Sequence, residues 1–193
     1  MTTANKITIA RILLVPFFVV QMLYFIRTGN ELHRVLALVA FALAATSDGV
    51  DGFIARRYSQ KSELGAILDP LADKLLLVSA ILLLSFNTND RFAQIPLWVT
   101  VTIISRDFIL LIGLAITHYT FGKTEIRPNL MGKLSTVFQM GLVLWTLFKW
   151  REQVLPIWIW GTAFFTVSSA TLYSLQGIRK LSASPTSAAA KNQ

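Results

Sequence analysis

Apolar residues recur along the chain in six long runs, over 7–26, 35–55, 69–86, 95–119, 131–149 and 155–177, separated by short polar connectors. A hydrocarbon core about 30 Å thick takes roughly 20 helical residues to cross, and each run is close to that length. The pattern predicts an all-α polytopic membrane protein of six transmembrane helices. Pro16, Pro70, Pro96, Pro128 and Pro156 mostly fall at or near the starts of runs, where proline is tolerated. The first run shares the basic-then-apolar order of a signal peptide. Arg11 and Pro16 interrupt it, however, and Leu23–Arg27 offers no small-residue cleavage site. A retained helix is expected instead. No internal repeat is visible, so residues 1–180 read as one membrane domain. Residues 181–193, rich in Ser and Ala, read as a disordered tail.

Composition supports this picture and then complicates it. The 193 residues are 54% hydrophobic and 15% charged, against roughly 25% charged in soluble domains. Disorder is excluded by that hydrophobicity, and a disulfide scaffold by the absence of cysteine. Yet the net charge is +8. Basic chains often bind nucleic acid, but six apolar runs leave no surface for it, and no nucleic-acid partner is expected. The location of the cations is more telling. Twelve of the 18 Lys and Arg residues fall at the two termini and in the connectors near 56–68 and 120–133, and five fall on the opposite side. Basic residues favour the cytoplasmic side, so both termini are expected there. Six spans agree with that parity.

The acids carry more chemistry than the bases. Asp48, Asp51, Asp69 and Asp73 lie at the cytoplasmic ends of the second and third runs. Spacings of three and four put each pair on one helical face. Two neighbouring antiparallel helices can then bring four carboxylates to one point, where they would repel one another. A divalent cation keeps such a cluster ionised, and carboxylate oxygens suit Mg²⁺ or Mn²⁺. A plainer account exists for single residues: Asp69 before Pro70 has the pattern of a helix start. Between the acids, Gly49 and Gly52 each cost a helix about 1 kcal/mol relative to alanine. Gly52, Ala55 and Gly65 would clear space for a ligand against the backbone, and Arg56 offers a planar fork for phosphate. Together these residues describe a nucleotide or pyrophosphate site.

The run Asp48-x-x-Asp51-Gly52-x-x-Ala55-Arg56, then eight residues and Gly65-x-x-x-Asp69-x-x-x-Asp73, resembles the signature of the CDP-alcohol phosphotransferases. Asn5, Thr8 and Arg11 look like the opening of the family's bacterial members. Gly132-Lys133-Leu134-Ser135-Thr136 followed by Gln139 is similar to a stretch of its phosphatidylglycerophosphate and cardiolipin synthases. Lys133, Thr136 and Gln139 also form a polar stripe that a wholly lipid-facing helix would not carry. The resemblance implies transfer of a lipid phosphate from CDP-diacylglycerol to an alcohol, with release of CMP. It implies two divalent ions held by Asp48, Asp51, Asp69 and Asp73, with Asp73 also the general base. Asp48, Asp51, Gly52, Ala55, Arg56, Gly65 and Asp69 would bind the CDP moiety, supported by Asn5, Thr8 and Arg11. A homodimer in the bacterial inner membrane, with its site at the cytoplasmic face, is implied as well.

The acceptor is the more open question. Arg106 lies inside the fourth run, where a charge at membrane depth suggests function. The alternative is a structural contact with Asp107, although neighbours in a helix do not face each other. With Lys133 and Arg127, Arg106 would form a cationic pocket for an anionic acceptor, either glycerol 3-phosphate or phosphatidylglycerol. Phosphatidylglycerophosphate synthases usually carry Glu after this arginine and a second arginine two turns on. Ser105-Arg106-Asp107 departs from that pattern and is similar to the cardiolipin synthases. Glycerol 3-phosphate is the expected acceptor, with phosphatidylglycerol the alternative. A small transporter is a remote third reading, because the acids gather at one face and not at the midplane. His33 and His118 receive no role.

Overall fold

The computed structural model describes residues 3–58, 63–87, 93–121 and 130–182, and within these the side chains of 9–47, 72, 74–87, 93–113 and 130–176. All six apolar runs form helices: α1 (Thr3–Thr28), α2 (Glu31–Tyr58), α3 (Glu63–Ser85), α4 (Leu97–Phe121), α5 (Leu130–Leu147) and α6 (Leu155–Ser182). A 3₁₀ turn, Glu152–Val154, precedes α6, and no strand occurs among the described residues. The tail expected from 181 lies outside the described residues, apart from 181 and 182, which end α6. Helix α3 begins at Glu63, more than a turn before Asp69, so Asp69 and Pro70 are helix-interior. That removes the reading of Asp69 as a helix start. Pro16 is likewise interior to α1 and has no N–H to offer the Ile12 carbonyl.

Among the described residues, three stretches are long and apolar enough to cross a membrane: Ile9–Thr28, Leu130–Leu147 and Glu152–Gln176. Burial is partly inverted relative to a soluble protein, with large apolar side chains facing outward and polar ones buried beside the apolar core. Leu13, Phe17, Leu111, Leu130, Ile157 and Trp160 face outward, while Arg11, Arg106, Ser135, Gln139, Thr162, Thr166 and Ser169 are buried. A lipid-facing exterior explains both halves of that inversion.

The helices pack as two groups of three. Helix α1 lies against α2 and α3, and α6 lies against α4 and α5, with fewer contacts between the groups. In the first group Phe18, Met22 and Phe25 of α1, spaced four and three, meet the small stripe Ala37, Ala40 and Ala44 of α2, with Phe18 5.7 Å from Phe41. In lipid, where apolar burial drives little association, such close fits carry the packing. The second group uses two glycine sockets. A Cβ at Gly141 would lie 2.2 Å from the Trp158 ring, and one at Gly161 would lie 2.5 Å from the Phe138 ring. The two groups share one apolar core, in which Leu76, Leu77 and Ile81 of α3 join Ile103 of α4 and Leu142 and Leu147 of α5.

Local chemistry sets the connections. Gly29 takes a φ of 72°, left-handed backbone that suits glycine, and its N–H closes α1 on the Phe25 carbonyl at 2.8 Å. Asn30 then caps α2, its Oδ1 accepting from the Leu32 N–H at 3.0 Å. At the same end Lys149, in the turn that follows α5, takes a φ of 52° and reaches Glu31 at 2.8 Å. Glu31 also pairs with Arg34. Arg34 in turn donates to the Leu147 carbonyl at 2.7 Å, filling an end of α5. The Lys149 ammonium and then Arg34 hold the Glu31 carboxyl below its ordinary value.

Candidate active site

The motif residues fall on two helices in contact. Asp48, Asp51, Gly52, Ala55 and Arg56 occupy the last turns of α2, and Gly65, Asp69 and Asp73 occupy the first half of α3. Helical backbone through both stretches preserves the three- and four-residue spacings that put each acid pair on one face. Their side chains lie outside the described residues, as do those of Asn5 and Thr8 in α1, while Arg127 lies wholly outside them. Arg11 is buried at 1% exposure. As a donor set, four carboxylates on adjoining helices fit hard divalent ions. No group of three or more metal-type side chains occurs among the described residues, which exclude these four.

The described part of the site centres on Arg106. Its side chain is 5% exposed, yet it carries a charge in the middle of α4. One terminal nitrogen donates to Asp107 Oδ1 at 2.8 Å, and the other donates to Ser169 Oγ of α6 at 2.9 Å. The guanidinium carbon lies 5.9 Å from the centre of the Tyr173 ring, within reach of a cation–π attraction. The structural contact with Asp107 therefore exists, but it accounts for only part of the group. Nε is buried with no partner among the described residues. Asp107 also receives Lys74 of α3, whose Nζ lies 2.8 Å from both carboxylate oxygens. Lys74 directly follows Asp73.

Helix α5 closes this cluster with backbone. A Cβ at Gly132 would lie 3.1 Å from an Arg106 nitrogen and 3.1 Å from the Tyr173 hydroxyl. Cation, phenol and α5 backbone thus converge at a position that suits a residue without a side chain. Lys133 is exposed. The inward polar stripe of α5 runs through Gly132, Ser135 and Gln139, all buried. Thr136 instead bonds its own helix, donating to the Gly132 carbonyl at 3.2 Å. Ser135 and Thr166 of α6 share a hydrogen bond of 2.9 Å, and Gln139 donates to Ser135 at 3.2 Å. Gln139 Oε1 is buried without a partner among the described residues. Lys74, Ser169, Tyr173 and Thr166 belong to none of the motifs, whereas Asp107 stands in the Ser105-Arg106-Asp107 run. Those on α6 share one sequence signal, the polar positions Thr162, Thr166, Ser169 and Tyr173 at helical spacing. His33 bonds Gln21 at 2.7 Å near the α1–α2 turn, and the His118 side chain lies outside the described residues.

The described residues form an all-helical fold with an apolar exterior and a buried arginine at the meeting of α4, α5 and α6. Residues 1–168 match the family model of the CDP-alcohol phosphatidyltransferases, and the chain belongs to that family. It is similar to the CDP-diacylglycerol–glycerol-3-phosphate 3-phosphatidyltransferase of Bacillus subtilis, 35% identical over 88% of this chain and 91% of the relative. The enzymes of that name from Escherichia coli K12 and Shigella flexneri are each 32% identical over 88% of both chains.

Proposed function

We propose that this chain transfers the phosphatidyl group of CDP-diacylglycerol to glycerol 3-phosphate, forming phosphatidylglycerophosphate and releasing CMP. The observation that carries the acceptor half of this reading is Arg106: buried, pinned by Asp107 and Ser169, and with an Nε donor unanswered among the described residues. A neutral acceptor would not need a buried cation, whereas a phosphate monoester suits a guanidinium fork. Family membership and the names of the relatives support the donor half.

In this reading the chain crosses the bacterial inner membrane six times as a homodimer, with both termini and the site at the cytoplasmic face. Acyl chains then stay in lipid while cytidine and the acceptor remain in water. Asp48, Asp51, Asp69 and Asp73 would hold two divalent ions, Mg²⁺ or Mn²⁺, which neutralise pyrophosphate charge when bound. Gly52, Ala55 and Gly65 keep the helix surfaces low for the CDP moiety, Arg56 meets its phosphate, and Asn5, Thr8 and Arg11 support it from α1. Arg106, with Lys133 and Arg127, holds the acceptor phosphate. Asp73 accepts the proton of the acceptor hydroxyl. That oxygen then bonds to the lipid-bearing phosphorus while the pyrophosphate bond breaks, and CMP departs with the electron pair.

The test is a liposome assay with CDP-diacylglycerol and Mg²⁺ or Mn²⁺, offering glycerol 3-phosphate, phosphatidylglycerol, inositol phosphate and serine in parallel. Phosphatidylglycerophosphate and CMP are expected from glycerol 3-phosphate alone. Cardiolipin from phosphatidylglycerol would reassign the acceptor. Asp73→Asn should lower turnover by about 10²–10⁴-fold while CDP-diacylglycerol binding persists; retained turnover would remove its role as base.

A further inference from the structure

The two three-helix groups divide the labour of the proposed reaction. α2 and α3 carry the aspartate motif, while α4, α5 and α6 surround Arg106. Contacts between α3 and α4 are sparse, and α4 rests chiefly on α6. Transfer between a donor held by one group and an acceptor held by the other therefore needs something to fix their relative positions.

We propose that Asp107 is that positioning residue: one carboxylate ties Lys74 of α3 to Arg106 of α4 and sets the guanidinium to receive the acceptor. The inference rests on the functional reading above. Three observations support it. Asp107 Oδ1 accepts from both Arg106 and Lys74, each at 2.8 Å, so the two cations share one anchor. Exposure falls along the chain of contacts, from 35% at Lys74 to 13% at Asp107 and 5% at Arg106, so the shared carboxylate lies where screening is weak. Asp107 and Ser169 take one terminal nitrogen each, which orients the planar group from two helices and leaves the buried Nε unanswered among the described residues. A guanidinium already oriented loses less freedom when an anion binds. Lys74 adjoins Asp73, so the same carboxylate sets the acceptor cation relative to the helix of the proposed base.

Initial rates across both substrates test this, with the thermal midpoint recorded for each variant. Asp107→Asn should raise the KM for glycerol 3-phosphate about tenfold, the effect of roughly one charge-assisted hydrogen bond. The KM for CDP-diacylglycerol should stay within about twofold, and Asp107→Glu, which keeps the carboxylate, should recover most of the loss. The double variant Lys74→Glu with Asp107→Lys separates positioning from simple helix tying, because it restores the α3–α4 ion pair but removes the carboxylate from Arg106. Recovery of the thermal midpoint with the acceptor KM still raised is expected. Recovery of the KM as well would reduce Asp107 to a helix tie and overturn the inference. So would equal changes in both KM values, or a lower acceptor KM in Asp107→Asn, which would make Asp107 a competitor of the acceptor. If Asp107→Asn fails to fold, the double variant supplies the same comparison with the ion pair intact. A wild type with no transfer to any anionic alcohol would overturn the functional reading and this inference together. Transfer with unselective KM changes would overturn this inference alone.

Discussion

Two ionic ties cross between the three-helix groups among the described residues, and they are built in opposite ways. Near the α1–α2 turn, Glu31 is 56% exposed and answers Arg34 and Lys149, while Arg34 also fills an end of α5. Within the bundle, Asp107 is 13% exposed and answers Lys74 and Arg106. The exposed tie is water-accessible on all its members, and such pairs contribute about 0.2–1 kcal/mol. The interior tie keeps Arg106 out of water and leaves its Nε unanswered among the described residues. Burying a charge costs several kcal/mol unless its hydrogen bonds are met. A fold needing only a fastener could have used the first arrangement twice. The buried arginine with a spare donor is better explained by a ligand that supplies the missing acceptor.

The sharpest way to break this contrast is Arg106→Ala. If the interior tie serves the acceptor, the KM for glycerol 3-phosphate should rise about 10–100-fold, the worth of a charge-assisted contact. The KM for CDP-diacylglycerol should change far less. Equal effects on both substrates would place Arg106 outside the acceptor pocket. Gly132→Ala asks the same question without touching a charge. The added methyl would lie 3.1 Å from both Arg106 and Tyr173, so each must yield by a few tenths of an ångström. A displacement of that order should reduce kcat/KM for the acceptor about tenfold, with the thermal midpoint little changed. Full activity would show that the guanidinium tolerates a shift and that its placement is not critical.

How much of this could be read from residues alone differs between the two groups. The helices themselves were legible, because six apolar runs map onto α1–α6. The Gly29–Asn30 connection places a glycine stop before an asparagine cap. The placement of the four aspartates on two adjoining helices was legible because their spacing is local to each helix. The interior tie was legible only in its Arg106–Asp107 half. Lys74 and Asp107 are far apart in sequence and meet only through tertiary packing. Ser169 was hidden for another reason: hydroxyls in apolar helices commonly satisfy themselves, as Thr171 does on the Ser168 carbonyl at 2.9 Å. A run of Ser and Thr in α6 therefore gave no direction. The polar stripe of α5 shows how fine the limit is. Lys133, Thr136 and Gln139 share one helical spacing, yet the inward set is Gly132, Ser135 and Gln139. A shift of one residue rotates a helix by about 100°, and periodicity alone does not choose between those registers.

The smallest expected effect tests whether the exposed tie is as passive as the contrast implies. Lys149 and then Arg34 hold the Glu31 carboxyl below its ordinary value of about 4.5, so ionised Glu31 is favoured more in the folded chain than in the unfolded one. Its contribution is complete above that ordinary value and disappears as pH falls through the lowered one. Glu31→Gln should therefore cost about 0.5 kcal/mol at pH 7, an exposed-pair value, with the deficit shrinking in high salt. As pH falls below about 4.5 the unfolding curves of wild type and variant should draw together, meeting only once pH has passed the lowered value and both lack the charge. Neither KM should move. A stability difference that persists unchanged into acid would mean that shape, not charge, fastens this end. A raised acceptor KM in Glu31→Gln would mean that the two ties act on one another through the α2–α5 contact, and the separation between a fastening end and a working interior would have to be given up.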